Sequence, residues 1–240
     1  MKTKSPFLAV MTFALLAAPL ASAGDDAPVK AATLDVSGDG KPEDISVTWD
    51  EPKSQFILKV GNATARGSSG HEEPNGFTVV DLDSSDKRKE VVVHTGLTDN
   101  TKEAHVYAYD GKSLKAMGTV PSISEARGNG IVLSDAWMAF WQRRDKYVLD
   151  AKAGKLTLVP QELYAVGVEA TVTESFPLAR ARTEKTPVAN LAKGSKIQVI
   201  AAAPIPGKSY LYLVKSSTGL LGWATMDDLA EKTEGLPFAG

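Results

Sequence analysis

The chain has 240 residues, a formal net charge of −2, 43% hydrophobic residues and no cysteine. This length suits one large domain or two small ones. The weak acidity argues against a nucleic-acid partner, because phosphate binding calls for a basic patch. The lack of cysteine excludes disulfides and a cysteine nucleophile, so an exported chain of this kind must be held together by its core or by metal.

The first 23 residues have the pattern of a secretory signal. Lys2 and Lys4 precede an apolar run at 7–20, and Ala-Ser-Ala follows at 21–23, which is the order of charged, apolar and small residues that precedes cleavage. The apolar run is shorter than the ~20 residues of a spanning helix, and Pro19 interrupts it. We therefore expect residues 1–23 to be removed and the rest to be exported, either secreted, on the cell surface or in the periplasm, with no membrane span.

The remainder of the chain reads as strands. β-rich or alternating runs include "DISVTW", "QFILKV", "FTVVDL", "EVVVHTG", "AHVYAYD" and "KLTLV". The segments between them are rich in turn-forming residues, as in "GDGKP", "ARGSSG", "YDGKS" and "RGNG". The segment "DAWMAFWQRRDKYVLD" is the least regular, and its context favours strand over a helical turn. The sequence predicts an all-β protein.

An internal repeat organises the first part of the chain. "LDVSGDGKPEDISV" is similar to "VDLDSSDKRKEVVV" about 46 residues further on. The aligned pairs are Asp35 with Asp81, Ser37 with Asp83, Asp39 with Asp86 and Glu43 with Glu90. A third copy begins near "GNGIVLSDAWMAFW" without the acidic spacing. Such a period suits a propeller blade, in which ~40–50 residues form one four-stranded sheet.

The first acidic loop has the donors of a calcium site. Side-chain oxygens stand at alternate positions, a glycine follows where a sharp bend is needed, and a carboxylate comes later. The candidate ligands are Asp35, Ser37, Asp39, the carbonyl of Lys41, and Glu43. A turn between two strands is the alternative, since Asp-Gly is also an ordinary hairpin signal.

The second loop is a weaker candidate for a metal site. Its acidic residues are Asp81, Asp83, Asp86 and Glu90, but it lacks glycine. It also contains the cations Lys87, Arg88 and Lys89, which can neutralise the carboxylates in place of a metal.

The sequence "DVSGDGKPEDISV" resembles the calcium loop of FG-GAP/VCBS repeats, the blades of integrin-type β-propellers. Ser37 and Glu43 depart from the family's usual carboxylate or amide and aspartate, although both still offer oxygen. The resemblance implies about three blade-like antiparallel meanders over residues 24–167, an incomplete propeller stabilised by calcium.

The C-terminal part resembles a bacterial Src-homology-3 domain. "LAKGSKIQVIAA" and "YLYLVKSSTGLLGWATMDDL" carry that resemblance, which covers residues 168–231 and leaves a tail at 232–240. The family commonly attaches to cell-wall peptidoglycan or another peptide. The resemblance implies a small β-barrel, with Tyr210 or Tyr212 as the ligand-binding aromatics and Trp223 at the edge of the core.

No catalytic pattern stands out. The three histidines, His71, His94 and His105, lack a zinc-ligand spacing, and no Gly-x-Ser-x-Gly elbow occurs. The sequence therefore favours a non-catalytic exported binding protein with a cell-wall or envelope-protein ligand. The alternatives are an envelope-polymer hydrolase that uses the barrel for targeting, and an assembly factor that pairs through open sheet edges.

Overall fold

The computed structural model describes residues 27–70, 72–207 and 209–238. The predicted signal at 1–23 and His71 lie outside the described residues. Within them the chain is built almost wholly of antiparallel β-sheets, with one short helix, which confirms the predicted all-β class.

Three four-stranded antiparallel meanders follow one another along the chain. The first sheet contains β1 (Ala31–Leu34), β2 (Glu43–Asp50), β3 (Gln55–Val60) and β4 (Ala63–Ser68), with a 3-10 turn at Glu51–Lys53. The second contains β5 (Gly76–Val80), β6 (Glu90–Thr95), β7 (Glu103–Tyr109) and β8 (Leu114–Val120). The third contains β9 (Glu125–Ala126), β10 (Ile131–Met138), β11 (Trp141–Asp150) and β12 (Lys155–Val159).

The sheets stack face to face, and the second lies in the middle. Its strand β6 is buried on both faces, with Val91 and Val93 in the core shared with the first sheet and Val92 in the core shared with the third. A strand covered on both sides needs a continuous apolar run rather than alternation, and "EVVV" supplies one. The first sheet has one covered face, so Ile45 and Val47 of β2 are buried while Asp44 and Thr48 are exposed.

Equivalent loops join neighbouring sheets at one end of the stack. The backbone N–H of Lys89 donates to the carbonyl of Val36 at 3.0 Å, and the N–H of Gly130 donates to the carbonyl of Leu82 at 2.8 Å. Val36 and Leu82 occupy matching positions in the sequence repeat. The sequence repeat therefore corresponds to a repeated contact: an equivalent hydrogen bond joins the first sheet to the second and the second sheet to the third.

The C-terminal part is a seven-stranded, curled half-barrel sheet with the order β15-β14-β18-β17-β16-β13-β19. Its strands are β13 (Tyr164–Val172), β14 (Phe176–Ala181), β15 (Glu184–Leu191), β16 (Lys196–Pro204), β17 (Tyr210–Ser216), β18 (Leu221–Ala224) and β19 (Thr233–Glu234). The helix α1 (Met226–Lys232) begins with a capping box of Thr225 and Asp228.

The limits of this sheet differ from the predicted boundaries. The predicted division between 167 and 168 falls inside β13, because that strand already pairs with β16 from Tyr164 onward. Part of the predicted tail also belongs to this region: β19 pairs with β13, and the ring of Phe238 packs against Phe140. The sequence does not reveal these contacts, because an isolated apolar residue such as Tyr164 or Phe238 gives no periodic pattern.

The third sheet and the C-terminal sheet share a core. The segment predicted as one long strand is a tight hairpin, β10–β11, with its turn at Ala139, which adopts a left-handed φ of 65°. Phe140 and Trp141, at the tip of this hairpin, are buried in the core of the C-terminal sheet. The two parts of the chain are therefore packed together through aromatic side chains.

Candidate functional site

The first acidic loop, between β1 and β2, is closed by its own carboxylates. The two oxygens of Asp35 accept the N–H groups of Gly38 and Gly40 at 2.8 and 2.9 Å. Glu43 Oε2 accepts the N–H of Val36 at 2.9 Å. These bonds wrap the backbone around the acidic side chains and hold the carboxylates in place.

Three of the five predicted ligands converge in this loop. Asp35, Asp39 and Glu43 each offer an oxygen, and these oxygens lie within 4.8 Å of one another. A calcium ion with oxygen ligands at ~2.3–2.6 Å spans about this distance between opposite ligands, so the spacing fits the ion. Ser37 and Lys41 take part in the turn itself: the N–H of Asp39 donates to Ser37 Oγ at 3.4 Å, and the N–H of Lys41 donates to Asp39 Oδ1 at 2.8 Å.

The same hydrogen bonds also close the loop without an ion. Each of the three carboxylates already accepts at least one backbone N–H, and local bonds of this kind stabilise a turn. The structure is therefore consistent with a simple turn between two strands as well as with a calcium site. The two interpretations differ in whether added calcium stabilises the fold.

The second loop does not bring its acids together in this way. In the part of the chain that the structure describes, the acidic group with metal-ligand spacing is that of the first loop. Asp86 is paired with Arg88, whose guanidinium lies 2.6 Å from Asp86 Oδ2 and lowers the pKa of that carboxyl. Asp83 accepts the N–H of Ser85 at 3.1 Å. Arg88, one of the cations expected to compete with a metal, thus forms an ion pair with Asp86.

Glu90 is the buried acid of the second loop. Its Oε2 accepts the N–H of Leu82 at 3.0 Å, the counterpart of the bond from Val36 to Glu43 in the first loop. Glu90 is only 8% exposed, and this burial raises its pKa to about 7, with the charges of Asp81 and Asp86 adding to the rise. It lines a cavity of about 210 Å³ between the second and third sheets.

The two tyrosines predicted to bind a ligand differ in burial. Tyr212 is a core residue, 2% exposed, with its ring 5.3 Å from that of Phe140. Its side chain is covered because the β10–β11 hairpin packs over it, an interaction between distant segments that the sequence does not reveal. Tyr210 is half-buried, and its hydroxyl accepts a hydrogen bond from Arg143 at 3.0 Å. Trp223 is half-buried beneath the guanidinium of Arg182.

Sequence reasoning missed a polar network at the junction of the third and C-terminal sheets. Arg143 contacts the buried Asp145 through Nε at 2.9 Å and through Nη2 at 2.7 Å. Tyr164 donates to the other oxygen of Asp145 at 3.1 Å. Asp145 is 2% exposed, and the alternating segment "WQRRDKYVLD" gives no signal that this acid faces inward.

A cleft, which we call the end cleft, lies beside this network, at the end of the stack opposite the acidic loops. Its walls are the β6–β7 turn, the end of β8 and the tip of the β10–β11 hairpin, and its volume is about 550 Å³. Trp137, Met138 and Arg143 form one wall, and residues 99–103 form the other.

A hydroxyl, an imidazole and a carboxylate meet at the same cleft. Thr119 Oγ1 lies 3.1 Å from His105 Nδ1, and Glu103 Oε2 lies 3.4 Å from His105 Nε2. Thr119 and Glu103 line the end cleft. Burial lowers the pKa of His105, so its ring is neutral near pH 7, and Nε2 also contacts Thr95 Oγ1 at 3.1 Å. The cross-strand pairing of His105 with Thr119 creates this contact. His94 is half-buried, with its Nε2 2.8 Å from Thr78 Oγ1, and desolvation lowers its pKa.

Comparison of the chain with protein-family models, with curated proteins and with solved structures gave no match. The fold itself defines the class: stacked four-stranded antiparallel meanders followed by a curled seven-stranded sheet. In the described part of the chain, no helix has the length and apolar character needed to cross a membrane.

Proposed function

We propose that the protein is an exported, non-catalytic binding protein. In this proposal, calcium at the first acidic loop stiffens the three-sheet stack, and the C-terminal part recognises cell-wall peptidoglycan or an envelope protein. The observation that carries the proposal is the convergence of Asp35, Asp39 and Glu43 in a loop whose sequence resembles a calcium-binding repeat.

The architecture of the stack supports the proposed likeness to propeller blades. Each of the first three sheets is a four-stranded meander, as a blade is. Each sheet is joined to the next by an equivalent backbone hydrogen bond, from Lys89 to Val36 and from Gly130 to Leu82. Three such units are too few to close a ring. The first sheet is at one end of the stack, and its outer face carries the exposed polar residues Asp44 and Thr48.

The order of strands supports the proposed barrel. Five strands, β19-β13-β16-β17-β18, are neighbours in the C-terminal sheet, and the β14–β15 hairpin folds back so that Ala179 pairs with Trp223 of β18. Bulges in β13, β15 and β16 provide the bends that a small barrel needs. Its outer strand β15 contains Lys185 and Pro187, which discourage pairing with another chain, so we do not favour the assembly-factor alternative.

One arrangement favours the hydrolase as the second candidate function. Thr119, His105 and Glu103 form a hydroxyl–imidazole–carboxylate series at the end cleft, which is the type of contact that activates a hydroxyl nucleophile. The imidazole is 9% exposed and shares Nε2 with Thr95, as expected of a side chain that braces a sheet. We therefore place the binding function first.

The test is sedimentation of the purified mature chain with insoluble peptidoglycan, with and without calcium, followed by zymography of the same samples. The proposal expects sedimentation with peptidoglycan that increases with calcium, and no clearing of the substrate. Clearing by the wild-type chain that is lost in Thr119→Ala and in His105→Gln would replace the binding function by the hydrolase. Capture by an envelope protein in place of peptidoglycan would keep the binding function and change its ligand.

A further inference from the structure

Trp137, one of the residues that line the end cleft, has an unused hydrogen-bond donor. Nε1 of Trp137 is buried and has no hydrogen-bond partner among the described residues. A buried donor without a partner costs about 1–3 kcal/mol, so folds rarely keep one unless water or a ligand supplies the acceptor. The other two atoms of this kind in the described chain, Asp81 Oδ1 and Trp141 Nε1, belong to residues that do not line the end cleft.

Arg143 supplies further donors at the same wall. One N–H on each of its three nitrogens is engaged, by Asp145 at Nε and Nη2 and by Tyr210 at Nη1. Because a guanidinium has five N–H groups, two remain for a ligand. The side chain is 23% exposed and is held by the buried Asp145, so these donors are fixed in direction before anything binds.

The charge of the cleft points to an uncharged ligand. Asp145 neutralises Arg143, and Lys102 is paired with Asp99 at 2.6 Å on the opposite wall. Glu103 adds one more carboxylate, which is an acceptor for hydroxyl groups. An anion would meet no unpaired cation among these residues, whereas hydroxyls and ring oxygens would find both donors and acceptors.

Apolar side chains also line the end cleft. Trp137, Met138 and Pro121 line the cleft beside the polar groups, and an indole ring provides a broad surface for the C–H face of a sugar. The volume of about 550 Å³ lies within the range of small-molecule sites, ~300–1,000 Å³. The combination of aromatic surface, fixed N–H donors and carboxylate acceptors, with no unpaired cation among these residues, is the chemistry that recognises a polyhydroxy compound.

We propose that the end cleft binds a neutral glycan, with Trp137 and Arg143 as its donors. The inference rests on the proposed binding function and gives it a ligand class, but it assigns recognition to the junction of the second and third sheets rather than to Tyr210 and Tyr212. It needs neither the acidic loop nor turnover at Thr119.

The test uses NMR of the ¹⁵N-labelled mature chain during titration with chitotetraose, cellotetraose and, as a charged comparison, tetragalacturonate. The chain has four tryptophans, so the indole N–H of Trp137 is assigned by its loss in Trp137→Phe. We expect that resonance to shift with at least one uncharged oligosaccharide, with a Kd of about 0.1–1 mM. Trp137→Phe keeps a smaller aromatic ring and removes the N–H donor, which should weaken binding at least fivefold, about the effect of one hydrogen bond.

Trp223→Phe is the matched control, because Trp223 lies on the C-terminal sheet, outside the cleft. It should leave the affinity unchanged, and the unperturbed indole resonance of Trp49 reports that each variant is folded. The inference is overturned if neither uncharged oligosaccharide shifts the Trp137 resonance up to about 10 mM, if the two Phe variants behave alike, or if tetragalacturonate binds more tightly. Any of these results together with retained sedimentation on peptidoglycan would leave the proposed function standing without this site.

Discussion

The ring of Phe140, from the third sheet, packs 5.3 Å from the ring of Tyr212, from the C-terminal sheet. Phe140 is fully buried, and Trp141 beside it contacts Tyr210 edge to face at 5.4 Å. The core of the C-terminal sheet is thus completed by side chains that precede it in the chain. A fragment of residues 168–231 lacks these side chains.

Phe140→Ala should therefore destabilise the C-terminal sheet. Removal of a buried phenylalanine ring costs about 3–5 kcal/mol, and we expect this loss in the free energy of unfolding measured by urea denaturation. Leu97→Ala is the control, since Leu97 is 69% exposed and its truncation should cost less than about 0.5 kcal/mol. A similar small cost for both variants would show that the hairpin tip is not part of that core.

Gly38→Ala tests the packing of the first loop on the second. An added Cβ would lie 2.8 Å from the backbone of Lys87, so the loops would have to separate. Gly40 is the matched control: its φ is also positive, at +88° against +78° for Gly38, but an added Cβ meets nothing within 4 Å. Both variants pay about 1–2 kcal/mol for a left-handed alanine. Gly38→Ala should cost clearly more in urea unfolding, and equal costs would contradict the loop-to-loop contact.

Glu90→Gln should stabilise the protein at alkaline pH. The pKa of Glu90 is raised in the folded state to about 7 from an ordinary 4.5, so ionisation of this buried acid costs stability. That cost is absent below pH 4.5, grows between pH 4.5 and 7, and is complete above pH 7. Because one pKa unit corresponds to about 1.4 kcal/mol, the gain at pH 8 is on the order of 3 kcal/mol.

The measurement is thermal unfolding of the wild type and of Glu90→Gln from pH 5 to pH 8. The difference in Tm between them should widen as pH rises, while Glu169→Gln, at an exposed strand position, should follow the wild type throughout. A difference that stays constant with pH would mean that Glu90 titrates normally in the folded state.

The sequence predicted much of the sheet structure because its signals are local. Alternation in "DISVTW" and the apolar run "EVVV" identify strands, and the repeat places Glu43 and Glu90 at matching positions, where each accepts the N–H of the residue that follows the first aspartate of its loop. These features depend on neighbouring residues, so they can be recognised without knowledge of the fold.

The candidate sites were harder to predict because they depend on distant contacts. Asp145 looks like a surface residue in the sequence, yet packing of the third sheet on the C-terminal sheet buries it against Arg143 and Tyr164. The same junction covers Tyr212. The contact of Thr119 with His105 arises from the pairing of β7 with β8. The distance between these two residues in the sequence does not predict it.

The most direct test of the account is the effect of calcium on thermal unfolding. For a Kd of ~10⁻⁴–10⁻³ M, a calcium concentration ten times the Kd should stabilise the protein by about 1.4 kcal/mol and raise Tm by about 3–6 °C. Asp39→Ala should lose most of this shift, and Asp86→Ala should keep it because Asp86 is paired with Arg88. A shift that persists in the double variant Asp35→Ala/Asp39→Ala, or no shift in the wild type, would contradict a calcium site and leave the first loop as a turn.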